Sequence, residues 1–333
     1  MIQLLVNNSK GIFDITPFVT GDITLVSQRK NTPTTLTFKF ARDLVVQNNL
    51  SISIDEGNAV ELSVNGSKIY KGFVFEKSRT KEQIITIKCY DQIRYLQNKN
   101  SYTFVNKKAS DVIKQISSEF NLQTGEIVDT GYILPPYNAD NQSLLDIIMQ
   151  TLDLTSYNSN ELYIFYDNVG KLTLKKVKDM VTNFIFTDDT NITDFSYLTS
   201  IDKQTFDVVK LYRDNKDTGQ REYFIAKDNM NVGKWGVLQH FEKADENMND
   251  AQIKKLADDI LKLKNKISET LTVDVQNNDF SNKLETLRAG NFVYVVINGL
   301  GSSNFSKVCL VEKCTHTFND NYHKIKLELN GGA

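Results

Sequence analysis

At 333 residues the chain is too long for one compact core, and two or three domains are expected. Hydrophobic residues at 40% and charged residues at 24% are ordinary globular proportions, which exclude general disorder. With 39 basic against 41 acidic residues the net charge is −2, so no overall basic excess points to specific nucleic-acid binding.

The first residues, Met1-Ile2-Gln3-Leu4-Leu5-Val6-Asn7-Asn8, have no basic start, long apolar run or small-residue cleavage site, so they do not read as a signal peptide. No stretch reaches the apolar length of a membrane span, and no membrane anchor is expected. Three cysteines, Cys89, Cys309 and Cys314, are an odd number that fits a reducing cytosol. Four prolines and no Gly/Pro-rich linker indicate domains packed together.

Residues 1–90 read as strands: Ile12–Ile15, Gly21–Val26, Thr35–Phe40, Gly57–Gly66 and Ile84–Tyr90. A polar joint at Asp91–Asn100 closes a first β-barrel-like domain, residues 1–95. The period then changes to a helical one. Ser110 is expected to cap a helix with Val112, Ile113, Ile116 and Phe120 on one face, and Asn141 a second with Leu144, Leu145, Ile148 and Leu152. Pro135-Pro136 separates them. A hairpin follows, Leu162–Tyr166 and Lys171–Leu174 around Asp167–Gly170. These make a small α+β domain over residues 96–195. Residues 196–333 begin with strands at Val208–Tyr212 and Glu222–Ala226, turning at Asp217-Thr218-Gly219. Trp235, the only tryptophan, sits between Gly233 and Gly236, and an amphipathic helix runs from Asp250 to Lys266 as an insertion near 245–267.

The end of the chain repeats its beginning. Thr270–Val275 echoes Thr35–Phe40, and Gly290-Asn291-Phe292-Val293-Tyr294-Val295-Val296-Ile297-Asn298-Gly299 echoes Gly57-Asn58-Ala59-Val60-Glu61-Leu62-Ser63-Val64-Asn65-Gly66. Glu312-Lys313 matches Glu76-Lys77, and Lys324–Leu327 matches Ile85–Lys88. Four matches in one order indicate a β module used twice. Gly-Asn before a strand and Asn-Gly after it are turn chemistry, so each module reads as an antiparallel meander closed into a small barrel, which leaves no unpaired edge. The expected class is α+β, mainly β: two similar barrel-like domains, an intervening α+β domain and a helical insertion.

Motifs for catalysis are sparse. There is no His-Glu-x-x-His, Gly-x-Ser-x-Gly or phosphate-binding glycine loop. Asp188-Asp189 and Asp258-Asp259 are adjacent carboxylates, but the second pair falls on the polar face of a helix. His316 and His323 flank a turn at Asn319-Asp320 close to Cys309 and Cys314, which raises zinc. Strand parity would put the two cysteines on opposite faces, and paired Cys-x-x-Cys spacing is missing, so a structural histidine pair is favoured. Glu76 and Glu312 recur in both modules and so read as module residues. No catalytic, cofactor-binding or metal-ligating residue is assigned.

The segment Cys89-Tyr90-Asp91-Gln92-Ile93-Arg94-Tyr95-Leu96-Gln97-Asn98-Lys99, then Asp129-Thr130-Gly131-Tyr132, Gly233–Gln239 and Val311–His316 with His323, resembles the PBSX-type prophage baseplate hub family of contractile phage tails. That family is similar to late control protein D and to the N-terminal part of type VI spike proteins. The resemblance implies a structural homotrimer, not an enzyme and without cofactors, whose six barrel-like domains form a quasi-sixfold ring. Its implied partners are the hexameric tail tube protein, the trimeric central spike and surrounding baseplate proteins. It implies synthesis in the bacterial cytoplasm and incorporation into the baseplate. Arg94, Tyr95 and Trp235 are the interface candidates, Trp235 being read either as a core anchor or as a contact residue. The chain stops soon after the second module, so no attached cell-wall-degrading domain is expected. The alternatives are a peptidoglycan-acting hydrolase at the tail tip and a monomeric carbohydrate-binding module with exposed aromatic rows.

Overall fold

The computed structural model describes residues 2–41, 52–82, 84–202, 205–215, 219–245, 248–277, 282–300 and 304–330. Residues 1–196 and 271–333 form one compact unit and residues 197–270 another. The first unit opens with β1 (Ile2–Asn8), β2 (Gly11–Asp14), β3 (Ile23–Gln28), β4 (Thr35–Ala41), β5 (Ala59–Val64), β6 (Ser67–Arg79) and β7 (Ile84–Tyr90). There follow β8 (Lys99–Phe104), helix α1 (Ala109–Glu119), β9 (Thr124–Ile127), β10 (Tyr137–Ser143), helix α2 (Leu144–Ser159), β11 (Tyr163–Asp167) and β12 (Leu172–Lys176). After β13 (Val181–Thr187) and β14 (Ile192–Ser200), the second unit holds β15 (Val208–Asp214), β16 (Arg221–Lys227), the short helix α3 (Asn229–Trp235), β17 (Gln239–Lys243) and helix α4 (Asp250–Lys264). The chain closes with β18 (Ser268–Asn277), β19 (Phe292–Ile297), β20 (Phe305–Asn319) and β21 (Tyr322–Asn330).

The mainly-β α+β class and the duplicated module are both present. The meander β4-β7-β6-β5 is matched by β18-β21-β20-β19. Backbone hydrogen bonds fix the equivalence: Gly57 N–H donates to Val74 O at 2.8 Å and Val74 N–H to Asn58 O at 2.9 Å. Gly290 N–H likewise donates to Val311 O at 2.8 Å, and Val311 N–H to Asn291 O at 2.9 Å. Both long strands carry a bulge at the same place, after Val74 in β6 and after Val311 in β20. Val311 therefore corresponds to Val74, and Lys313 to Glu76. The apparent Glu-Lys repeat is thus one residue out of step. Glu76 pairs with Lys88 at 3.0 Å and Lys313 with Glu328 at 3.0 Å, so the cross-strand ion pair recurs with its charges exchanged.

Among the described residues neither module closes into a barrel of its own. The two share a 13-stranded sheet in the order β14-β18-β21-β20-β3-β4-β7-β6-β5-β1-β2, with β13 on β19 and β19 also on β20. Beyond its bulge β20 turns to β3, pairing Lys313 with Gln28 through to Phe318 with Ile23. At β3 and the far half of β20, edges that closure would have joined are satisfied by the other module, a second solution to the edge-strand problem. Phe318, from the second module, lies in the core of the first with Leu36, Phe38 and Leu62. Arg29 spans the junction with its Nε and one Nη donating to the two carboxylate oxygens of Glu312, at 2.7 and 2.9 Å.

The segment between β7 and β13 packs α1 and α2 on a core of Ile113, Ile116, Leu144, Ile148 and Leu174. Its helices start elsewhere than the capping residues suggested. Ser110 lies inside α1, buried against Thr130, and Lys108 stands at the cap. Asn141 sits at a break in the β10 register with φ 49°, while Ser143 caps α2 by accepting from Asp146 N–H. The hairpin β11–β12 forms as expected and gains β9 as a parallel third strand.

In the second unit α4 covers one face of the β16-β15-β17 sheet, burying Val209, Leu211 and Phe224 against Ile253, Ala257 and Ile260. The expected turn at Asp217-Thr218-Gly219 falls, except for Gly219, outside the described residues.

The paired glycines give a test of packing. Gly57 and Gly290 have φ of +86° and +96°, but a Cβ at Gly57 would meet open space while one at Gly290 would lie 2.7 Å from Ile164 Cδ1. Gly57→Ala is expected to cost about 1–2 kcal/mol from the left-handed backbone alone. Gly290→Ala adds about 1–3 kcal/mol of crowding. Urea titration of both variants measures this, and equal losses would contradict the packing of the β11 hairpin on the second module.

Candidate functional site

The polar interior is concentrated where the two modules and the β11–β12 hairpin meet. Asp91, at the end of β7, is 1% exposed. It accepts from Thr34 N–H at 2.9 Å and from Ile93 N–H at 3.0 Å, tying the first module to the turn that follows it. Asp167, at the end of β11, accepts from Gln92 Nε2 at 3.1 Å and from Gly170 N–H. Arg288, ahead of β19, lies 3.9 Å above the Tyr166 ring and donates to the Asp167 carbonyl at 2.9 Å. A cavity of about 170 Å³ lies among these groups, lined also by Tyr70, Glu285 and His316. Burial pushes the Asp91 carboxyl up to about 7, helped by the Asp167 charge, and burial raises Asp167 as well. Asp91 is held by backbone amides and turned inward, the placement of a joint rather than of an acid facing a substrate.

A second polar chain runs behind it. His316 Nε2–H donates to Leu287 O at 2.7 Å, His323 Nε2–H to His316 Nδ1 at 2.9 Å, and Asn277 Nδ2–H to His323 Nδ1 at 3.0 Å. These tautomers use every ring nitrogen of the pair, so the histidines are neutral structural groups. Burial lowers His316 to about 4 and His323 to about 3. Cys309 and Cys314 do not fall on opposite faces. The bulge after Val311 resets the alternation, and both are buried, with Cys314 Sγ 3.2 Å from His316 Nε2. Among the described residues no cluster of His, Cys, Asp or Glu has the arrangement of a metal site.

The other singled-out residues lie apart. Arg94 is half-buried, 5.4 Å over the Phe75 ring, and Tyr95 packs on Phe73 and Phe75 at 5.8 and 5.6 Å. Trp235 ends α3 in the second unit, half-buried and outside that unit's core. Asp188 and Asp189 hold the turn after β19 through Asn298. Asp258 is an exposed residue of α4. Of the hairpin rings, Phe165 and Tyr166 are buried, so they offer no sugar-stacking platform. On the uncovered face of the second unit Tyr223 and Phe241 are exposed, but Lys210 lies 4.2 Å over Tyr223 and Arg221 4.6 Å over Tyr212. Asp91, Asp167 and Arg288 were not singled out in the sequence. Asp91 stood within the recognised Cys89–Lys99 segment, but nothing local signals its burial.

The model of the family described as YQBQ-like matches residues 23–330. The chain belongs to the YQBQ-like family. It is 29% identical to the phage-like element PBSX protein XkdQ of Bacillus subtilis over 280 residues, 83% of this chain and 82% of that protein. Its fold is that of phage tail proteins. The prophage MuSo2 43 kDa tail protein of Shewanella oneidensis superposes with a TM-score of 0.71 at 11% identity, covering 98% of each chain. A tail protein of Neisseria meningitidis MC58 does so with 0.72 at 12%, covering 99% of this chain and 96% of that one. Among the described residues no helix is long and apolar enough to cross a membrane.

The buried groups have opposite pH signatures. Both histidines have folded values below their ordinary 6.5, so the unfolded chain binds more protons, and their contribution is present above about pH 6.5 and lost as pH falls toward 4. Asp91 is raised, so its contribution is present below its ordinary 3.8 and lost as pH rises through about 7. Denaturant stability of the parent should therefore fall between pH 6.5 and 5, and fall more shallowly in His323→Leu. Asp91 runs against the histidines between its ordinary 3.8 and about 7, so Asp91→Asn should steepen the fall between pH 6.5 and 5 and leave the profile above pH 7.5 unchanged. Profiles parallel to the parent in both variants would contradict these assignments.

Proposed function

We propose that this protein is a structural baseplate hub of a phage tail or phage-tail-like particle. In this reading three copies form a ring of six similar modules that joins the hexameric tail tube to the trimeric central spike. The observation that carries it is the duplicated meander: one chain presents two equivalent faces, which a threefold assembly needs in order to meet a sixfold one. Membership of the YQBQ-like family, similarity to a phage-like element protein, and the tail-protein fold over nearly the whole chain support the same role. Residues 1–95 and the second module serve as the tube-facing domains, and residues 96–195 contact surrounding baseplate proteins. The protein is made in the bacterial cytoplasm and then built into the baseplate. It acts by docking and not by catalysis. The buried, amide-bound carboxylate of Asp91 favours that over cell-wall hydrolysis.

Negative-stain electron microscopy of the purified chain, alone and with its tail tube protein, tests the architecture. Class averages should show a ring with six similar lobes, stacked on tube ends when the tube is present. Isolated particles with no ring under both conditions would contradict it, and clearing of purified peptidoglycan by the chain would favour the hydrolase.

A further inference from the structure

The internal symmetry is left incomplete at one place, and the burial of the strands marks it. Inside the chain the junction between modules is made by β3 and the far half of β20. Each of these has a counterpart in the other module. Beyond its bulge β6 corresponds to the far half of β20, since Val74 matches Val311. Even a side-chain contact beside that edge is repeated: Lys77 Nζ donates to Ile54 O at 2.9 Å, where Cys314 Sγ lies 3.6 Å from Leu287 O. The counterpart of β3 is β14. As β3 pairs with β4, β14 pairs with the equivalent strand β18, and contacts from Thr193 to Asp274 and from Ser268 to Ser200 set the pair antiparallel.

Among the described residues the paired set is covered and its counterparts are not. In β3, Ile23, Leu25 and Ser27 are buried, and in β20 so are Cys314, His316 and Phe318. In β14 the seven residues Thr193–Thr199 are all exposed, Phe195 and Leu198 by 40% and 60%, and in β6 so are Glu76–Arg79. An exposed edge carrying large apolar side chains is a template for strand addition.

We infer that β14 of one copy pairs antiparallel with the end of β6 of a second copy, repeating between chains the β3–β20 junction found within each. This rests on the ring reading and specifies its interface. Three such junctions would alternate with three internal ones and carry the sheet unbroken around the ring. The ladder also sets which backbone group takes part. Thr80 N–H donates to Ile84 O at 3.1 Å, so the alternation of bonds turns the Arg79 N–H away from β7 and toward the incoming strand.

Disulfide trapping tests the pairing. Ser78→Cys is combined in turn with Ser196→Cys, Tyr197→Cys and Leu198→Cys in the full chain, and oxidised samples are run on denaturing gels. Thr24→Cys with Thr317→Cys, a directly opposed pair inside the chain, is the control and should close without a change of mass. At least one β6–β14 combination is expected to shift from the one-chain band to two- and three-chain bands, abolished by reductant. Arg79→Pro should lose the three-chain mass in solution while keeping the circular-dichroism spectrum of the parent. A three-chain mass with no inter-chain disulfide in any combination, and with Arg79→Pro still trimeric, would overturn this interface and leave the ring reading standing. A one-chain mass for the parent would overturn both.

Discussion

The ladder between β3 and β20 is the constraint on which the rest of the first unit depends. It joins segments almost a whole chain length apart, so the two modules are parts of one sheet rather than beads on a linker. Because β20 is long enough to serve both β21 and β3, it belongs to two cores at once: Cys314 lies in the second module's core and Phe318 in the first's. The bidentate Arg29–Glu312 pair and the hydrogen bond from Ala289 N–H to Ser27 Oγ fix the junction further. Orientation between modules is thereby set by backbone hydrogen bonds, which are directional, and not by apolar contact alone.

Polar groups do the same work from inside. The hairpin β11–β12 is wedged against the second module through Ile164 and Tyr166, and its Asp167 meets Gln92 from the first and Arg288 from the second. Buried polar groups of this kind specify one arrangement because any other leaves them unpaired. The histidine chain from Leu287 to Asn277 acts likewise within the second module. A rigid relation between two equivalent modules is what the proposed ring requires.

Much of this architecture was legible in the residues. The Gly-Asn and Asn-Gly signals bracketing β5 and β19 reflect positive-φ turns, which few residue types fill, so the duplication survives in them. What was misread turns on bulges and on distant partners. The bulge in β20 reversed the inferred facing of Cys309 and Cys314, because parity arguments assume an unbroken strand. The Glu-Lys repeat fell one step out for another reason: the bulge is common to both strands, and the two pairs stand at different distances from Val74 and Val311. Barrel closure was expected because an edge must be covered. That the cover would be another module, paired through β3, has no local signature. Strands β8 and β10 escaped because Lys99–Phe104 and Tyr137–Ser143 are mostly polar, lacking the alternation that marks a half-buried strand. The junction cluster was invisible for the same reason of distance, since Asp91, Asp167 and Arg288 meet only in the folded chain.

The most direct measurement is the absolute mass of the purified chain by light scattering, alone and mixed with its candidate spike protein. Two equivalent faces on a rigid chain predict three chains per particle in at least one of the two samples. A single-chain mass in both, at concentrations well above micromolar, would contradict the ring and leave the duplicated module without the assembly that explains it.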